Sequence, residues 1–411
     1  MPLAWLSFGA LIVAILASCL TELNVGVVAL TLAWIVGVYF GGLGLGELIE
    51  GFPVQLFLTL AGVTLLFAQA QQNGTLDRIA HRAIRLCRGN VGMMPMMFFV
   101  LGAALSSIGP GNISSTALLA PIAMPIGAQA GIPPFLMAIM VGNGANAGSL
   151  SPFAPTGIIV NGTMARIGLT GYEWPTYFNN LVAHIVVAFG GYLLLGGWRL
   201  FRSSYAGDSQ AAEGGPLTGK HWATVAVIGC LLVAVIGFGV NVGMMAFAGA
   251  VILAAVGAAD HKDAIKRMPW SVIVMVTGVT VLISLLERLQ GIDLFTSLLT
   301  RVSNQETITG VVGFLTAFIS VYSSTSGVVL PAFLPTIPGL IERLGGGDPV
   351  AIASSMNVSS HLVDVSPVST IGALCLAAIP ASENVRPVFN KLLAWGLSMT
   401  VIGATASYLL F

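Results

Sequence analysis

The sequence predicts an all-α polytopic membrane protein made of two inverted repeats, each with five transmembrane helices, a re-entrant hairpin and a broken helix. Three observations predict it: the composition, an internal repeat of about half the chain, and the placement of the basic residues. The 411 residues are 56% hydrophobic and only 8% charged, against roughly 25% charged in soluble domains. Mean hydropathy is +0.93. Net charge is zero and no basic block occurs, so no nucleic-acid partner is expected. Cys19, Cys87, Cys230 and Cys375 are scattered singly, which suits small apolar residues better than a disulfide framework or metal site. The first apolar run, Leu3 to Leu20, lacks a basic flank before it and is followed by another apolar run, so it reads as a retained span.

Spans of about 20 residues fit most of the apolar runs. The segments 114–130 and 324–342 are short and contain proline, while 133–163 and 349–379 are long and interrupted. These irregularities fall at matching places. Asn24-Val25-Gly26 recurs as Asn241-Val242-Gly243, and Gly62-Val63-Thr64 as Gly278-Val279-Thr280. Ser114-Ser115-Thr116 recurs loosely as Ser324-Thr325-Ser326, Pro121 and Pro125 as Pro331 and Pro335, and Ser151-Pro152 with Gly157 as Ser366-Pro367 with Gly372. The offsets stay between 210 and 217. A fixed period of this kind marks a structural repeat.

If 92–130 and 306–342 are hairpins, each half crosses the membrane five times, and an odd number inverts the second half. Basic residues favour the cytoplasmic side. With the connector 72–91 inside, twelve of the 16 basic residues, including Arg78, Arg82, Arg85 and Arg88, fall on that side, leaving Arg166, Arg288, Arg301 and Arg343 outside. Both termini are then external. Within the connector, Leu76, Ile79, Ala80, Ala83 and Cys87 share one helical face and Arg78, Arg82 and Arg85 another, as in a helix lying among lipid headgroups. The same helix would also serve as a rigid arm between a fixed and a moving part.

The stretch GNISSTALLAPIAMPI (111–126) explains the hairpins. Irregular backbone at membrane depth is tolerated only where protein or water satisfies its polar groups. Gly109-Pro110-Gly111-Asn112 breaks one helix, and Ser114, Ser115 and Thr116 are expected to cap the next. Open N–H groups and the positive end of a helix dipole attract anions. The second hairpin repeats this with Ser323, Ser324, Thr325 and Ser326. In 141–162, five glycines, three asparagines, two serines and two prolines interrupt an apolar run, and Pro155-Thr156 reads as the start of a half-helix. The counterpart, 356–375, breaks between Asp364 and Thr370. Small polar residues also serve close helix packing, which accounts for any one of these stretches. Four in matched places are the layout of a secondary transporter with its site near the midplane.

No Lys or Arg falls in a hairpin tip or break, so an anion would be held by hydroxyls, amides and helix ends. Asp364 is the one acidic residue in the middle of an apolar segment. It reads as a Na+ ligand or a proton carrier, or else as a helix cap facing a wet cavity. Freed carbonyls and hydroxyls are hard oxygen donors suited to Na+. His361 and His184 read as hydrogen-bonded packing residues. An intramembrane hydrolase pairing a serine with His361 is the alternative from another class, although a nucleophile–base pair has no reason to recur in both halves. A channel finds no ring of charge or continuous polar stripe.

The Ser/Thr hairpin tips, each followed by proline and a span broken by Ser, Pro and Gly, resemble the divalent anion/sodium symporter family of the ion transporter superfamily. The style is most similar to its bacterial malonate/dicarboxylate carrier branch. The resemblance covers nearly the whole chain. It implies a homodimer in the bacterial inner membrane, with a scaffold and a moving transport domain working as an elevator. Scaffold would be 1–90 and 217–305; the transport domain would be 91–216 (hairpin 92–130, broken helix 133–163) and 306–411 (hairpin 306–342, broken helix 349–379). The family carries Ser-Asn-Thr at its tips. Here Ser114 and Thr116 match the ends of the first motif and Ser115 replaces its Asn. At the second tip, Ser324-Thr325-Ser326 matches the first position only, and a shift by one lets Ser323 and Thr325 match both ends.

The expected function is Na+-coupled symport of a small dicarboxylate. A proton-coupled or binding-protein-dependent organic anion carrier of the same superfamily is the alternative. Expected substrate contacts are Asn112, Ser114, Ser115, Thr116, Ser324, Thr325, Ser326, Pro155, Thr156, Pro367, Ser369 and Thr370. One Na+ would sit among Ser114, Ser115, Asn143, Gly148 and Ser149. The other would sit among Ser320, Ser323, Thr325 and Asp364.

Overall fold

The computed structural model describes residues 2–21, 23–84, 87, 89–205 and 216–411. The first half comprises α1 (Pro2–Leu20), α2 (Val25–Trp34, prolonged by a π turn at Ile35–Phe40), α3 (Leu45–Ile49), α4 (Val54–Gln72), α5 (Thr75–Ile84), α6 (Met93–Ile108), α7 (Gly111–Gln129), α8 (Pro134–Ala147), α9 (Pro155–Arg166) and α10 (Glu173–Leu194). The second half comprises α11 (Gly219–Phe238), α12 (Val242–Ala255), α13 (His261–Arg267), α14 (Trp270–Arg288), α15 (Gly291–Leu299), α16 (Ile308–Ser320), α17 (Leu330–Phe333), α18 (Ile337–Leu344), α19 (Pro349–Leu362), α20 (Thr370–Ala377) and α21 (Val385–Leu410). No strand occurs among the described residues, and seven of their helical segments are long and apolar enough to cross a membrane. The fold is all-α and polytopic.

Several local contacts recur at matching places of the sequence repeat. Asn24 and Asn241 each cap a helix, accepting from the N–H groups of Gly26 and Met244. Thr64 donates to Leu60 O at 2.7 Å, and Thr280 to Val276 O at 2.8 Å. The helix crossings are reciprocal. A Cβ on Gly62 would stand 2.3 Å from Gly243 O, and one on Gly278 would stand 2.2 Å from Gly26 O. Gly62 is the repeat partner of Gly278, and Gly243 of Gly26. Each equivalent residue therefore exchanges partners between α4/α12 and α14/α2. The breaks match as well: Ala154 N donates to Ser151 O at 2.9 Å, and Ser369 N to Ser366 O at 3.0 Å.

Hairpin 306–342 returns through an uneven arm. Thr325–Val329 is a π turn and Leu334–Thr336 a 3-10 turn, with Pro331 and Pro335 removing two backbone donors along it. Pro121 and Pro125, by contrast, sit inside a continuous α7. The amphipathic connector forms α5, with Leu76 and Ala80 buried and Arg82 exposed. Arg85 and Arg88 lie outside the described residues. The short helices α3, α13 and α15 were not expected from the apolar runs. Cys87 and Cys375 are buried and Cys230 is exposed; all three are free thiols.

Candidate functional site

The first tip is shaped by two glycines. Gly109 has φ +143° and Gly111 φ +77°, conformations open mainly to glycine. A Cβ on Gly109 would also enter the Phe67 ring, 1.8 Å from Cε2. The chain therefore turns early and α7 starts at Gly111. This corrects the expected capping: Ser114, Ser115 and Thr116 sit within the helix, and no side chain caps its start. Ser115 Oγ and Thr116 Oγ1 are buried and form no hydrogen bond. The second tip does have its cap. Ser324 is extended and its hydroxyl accepts from Gly327 N at 3.1 Å.

Both tips meet the second break. A cavity of about 190 Å3 is lined by Asn112 and Ile113 of the first tip, Tyr322 to Ser326 of the second, and Asp364 with Val368 to Ile371 of the break. Its volume is roughly that of six waters, at about 30 Å3 each. Three helix N-termini border it: those of α7, of the Thr325–Leu344 arm and of α20. Pro155, at the start of α9, lies just behind. A Cβ on Gly111 would stand 2.9 Å from Pro155 Cδ. Each helix start carries roughly half a positive charge and free N–H groups. The lining contains no Lys or Arg and a single carboxylate.

That carboxylate is tightly tied. Thr325 Oγ1 donates to Asp364 Oδ1 at 2.6 Å and lies 3.3 Å from Ser360 O. The Ser369 hydroxyl donates to the Asp364 carbonyl. Hydroxyl, carboxylate and carbonyl oxygens are thus assembled at one point, a donor set of the hard kind that suits Na+.

The other expected residues are distributed around this point. Ser326, Ser369 and Thr370 line the cavity, and Pro367 lies within the break. Thr156 is buried in the first turn of α9. Ser114 faces a different cleft, which it shares with Gly109, Pro110 and Arg267 of α13. Ser320 Oγ is buried on α16 without a hydrogen bond. In the first break, Ser149 donates to Asn146 O at 2.7 Å, and the Gly148 carbonyl accepts from Ser151 N. Gly144 and Gly148 pack on α6: a Cβ on either would stand 2.4 Å from the carbonyls of Phe99 and Ala103 respectively. These two glycines let α8 approach α6 closely. Asn143 is turned away from the cavity, with its amide donating to Ile139 O and its oxygen 3.0 Å from His184 Nδ1.

Asn146 is the residue that sequence reasoning passed over. Asn112 Nδ2 donates to its oxygen at 2.8 Å, and its own amide reaches the His361 carbonyl at 3.4 Å. It therefore links the first tip to both broken helices. Its spacing of three from Asn143 was the available signal, but that spacing alone does not say which asparagine faces the tip. His361 Nδ1 donates to Asn357 O at 2.7 Å, and neither His361 Nε2 nor His184 Nε2 meets a hydroxyl. The serine–imidazole pair of a hydrolase is not formed.

Residues 1–149 match the family model described as "Dicarboxylate carrier protein MatC N-terminus". No curated protein sequence matches the chain. Solved structures share the fold, among them two transporters. The YdaH transporter of Alcanivorax borkumensis superposes with a TM-score of 0.61 at 14% identity, covering 91% of this chain and 88% of its own. Neisseria gonorrhoeae MtrF, described with a class of antimetabolite efflux pumps, gives 0.61 at 14% identity over 97% and 96%. At that identity the likeness is one of architecture. The chain thus combines a dicarboxylate-carrier-like first third with a fold shared by two transporters.

Proposed function

We propose that this protein is a secondary transporter carrying a small dicarboxylate, such as malonate or a similar C3/C4 dianion, in symport with Na+. The observation that carries the reading is the convergence of three helix N-termini on one small, cation-free cavity. Such a cavity stabilises a dianion through N–H groups and hydroxyls alone. The match of the first 149 residues to a dicarboxylate carrier model supports the substrate class. Na+ would take the oxygens of Asp364, Thr325 and Ser360, with Ser320 and Ser323 near that end. A second Na+ would sit at the first tip beside Ser115, whose buried hydroxyl has no hydrogen bond, rather than at Ser114, which faces another cleft, or at Asn143 and Ser149, which bond within their own helices. Cations travelling with a dianion lower the cost of moving it through a low dielectric. A dianion and two Na+ still leave the Asp364 charge over, so full balance needs a third cation or a proton on Asp364.

An elevator motion fits the packing. The tightest helix pairs, α4/α12 and α2/α14 on one side and α6/α8, α16/α19, α16/α21 and α8/α10 on the other, each fall wholly within 1–90 plus 217–305 or within 91–216 plus 306–411. The first group would be the scaffold of a homodimer in the bacterial inner membrane, with both termini outside. The second group would move. Equilibrium binding of labelled malonate, succinate and citrate to the purified protein, in Na+ and in choline buffer, tests the site. Na+-dependent binding of one small dianion is expected. Absence of binding by all three in both buffers would contradict the reading.

A further inference from the structure

The ends of α4, α5, α11 and α12 line a cleft of about 530 Å3, separate from the cavity between the tips. Its neutral polar walls are satisfied internally. Asn73 donates to Thr224 Oγ1 at 2.8 Å, and Gln72 donates to Asp263 while accepting from Asp260 N. His221 Nδ1 accepts from Thr218 N at 2.9 Å, which leaves Nε2–H to donate to Asn73 O at 3.1 Å. Charge is what remains. Arg78 donates to the Pro216 carbonyl and Lys220 is exposed; neither belongs to an ion pair among the described residues. The acidic member of the lining, Asp260, turns its carboxylate to α13, accepting from Lys262 N at 2.9 Å and Asp263 N at 3.4 Å. Among the described residues, two cations therefore face the cleft with no carboxylate paired to them.

Trp222, two residues beyond Lys220, is exposed. Ala226, Gly229, Cys230 and Val233 follow it on the outward face of α11, about half a turn round the helix from Lys220. A Cβ on Gly229 would have nothing within 4 Å, so this strip is open to its surroundings. Cations, an exposed tryptophan and an open apolar strip at one end of α11 match the three zones of a phospholipid. We propose that this cleft binds the headgroup of an anionic phospholipid, with its phosphate between Arg78 and Lys220 and an acyl chain passing round α11 onto the strip. A soluble phosphate would use the cations and ignore the strip.

Native mass spectrometry of the full-length protein, titrated with phosphatidylglycerol or phosphatidylcholine, tests this. Phosphatidylglycerol should be retained at least about fivefold better, in a salt-sensitive way. Arg78→Gln with Lys220→Gln should abolish that preference, and Trp222→Ala should weaken retention of both lipids. Lys220→Gln alone, at an exposed side chain, keeps the test open if the Arg78 substitution disturbs folding, and should itself lower the preference. Equal retention of both lipids, or an unchanged preference in Lys220→Gln, would overturn the proposal. So would displacement of phosphatidylglycerol by millimolar inorganic phosphate together with no effect of Trp222→Ala.

Discussion

Thr325 and Asp364, 39 residues apart, are joined by a 2.6 Å hydrogen bond that ties the second hairpin tip to the break in the helix behind it. In the repeat, Asp364 stands where the first half has Ser149, whose hydroxyl serves only its own helix. The carboxylate is therefore one chemical asymmetry between the two halves. A charge at membrane depth calls for a cation or a proton, so under the proposed function cation coupling would fall chiefly on the second half.

Asp364→Asn keeps the shape and an acceptor for Thr325 but removes the charge. The apparent Na+ constant for substrate binding should rise at least about tenfold, since hydrogen bonds and contacts to a charged group are worth about 1.5–3 kcal/mol. Sodium titration of dicarboxylate binding measures it. Na+ dependence equal to wild type would remove Asp364 from the cation site.

Thr325→Ala should weaken Na+ and substrate binding together, by about tenfold, because it strips a donor from a buried carboxylate. Thr325→Ser keeps the hydroxyl and should recover most of the loss. If Ser and Ala behave alike in the same titration, the methyl group and not the hydroxyl is what matters at this position.

Ser115 makes the opposite case. Its buried hydroxyl has no hydrogen bond, so Ser115→Ala should leave the melting temperature of the ligand-free protein within a few degrees of wild type. It should nonetheless raise the apparent Na+ constant if the first cation site uses that oxygen. A thermal melt with a parallel Na+ titration separates these effects, and an unchanged Na+ constant would take Ser115 out of the site.

Gly372→Ala should destabilise the protein by about 1–3 kcal/mol, because the new Cβ would stand 2.1 Å from Ser366 O. Gly157→Ala, meeting Ser151 O at 1.9 Å, should behave likewise. Gly237→Ala on α11 has nothing within 4 Å of the new Cβ and should be neutral or slightly stabilising. Detergent-solubilised thermal melts of the three variants compare them directly.

The breaks were legible because proline and serine mark helix starts locally: Pro155 opens α9, and Ser369 precedes α20. The pairing of the two halves was legible because the same Gly and Asn recur at nearly one offset. The facing of side chains was not. Successive residues turn by about 100° around a helix, so Asn112 and Ser114 point to different clefts although they are neighbours in the motif. Whether a glycine admits a turn or a neighbouring helix depends on what packs there. Gly109 and Gly111 make the tip, whereas Gly144 and Gly148 make room for α6. Arg267 arrives beside the first tip from α13 through the tertiary fold, and no local pattern announces it.

Uptake of labelled malonate, succinate and citrate into proteoliposomes, with and without an inward Na+ gradient, tests the central claim most directly. Na+-driven accumulation of one small dianion, lost when the gradient is collapsed, is the predicted result. Accumulation indifferent to Na+ and driven by a proton gradient, or no uptake of any dianion by correctly inserted protein, would contradict it.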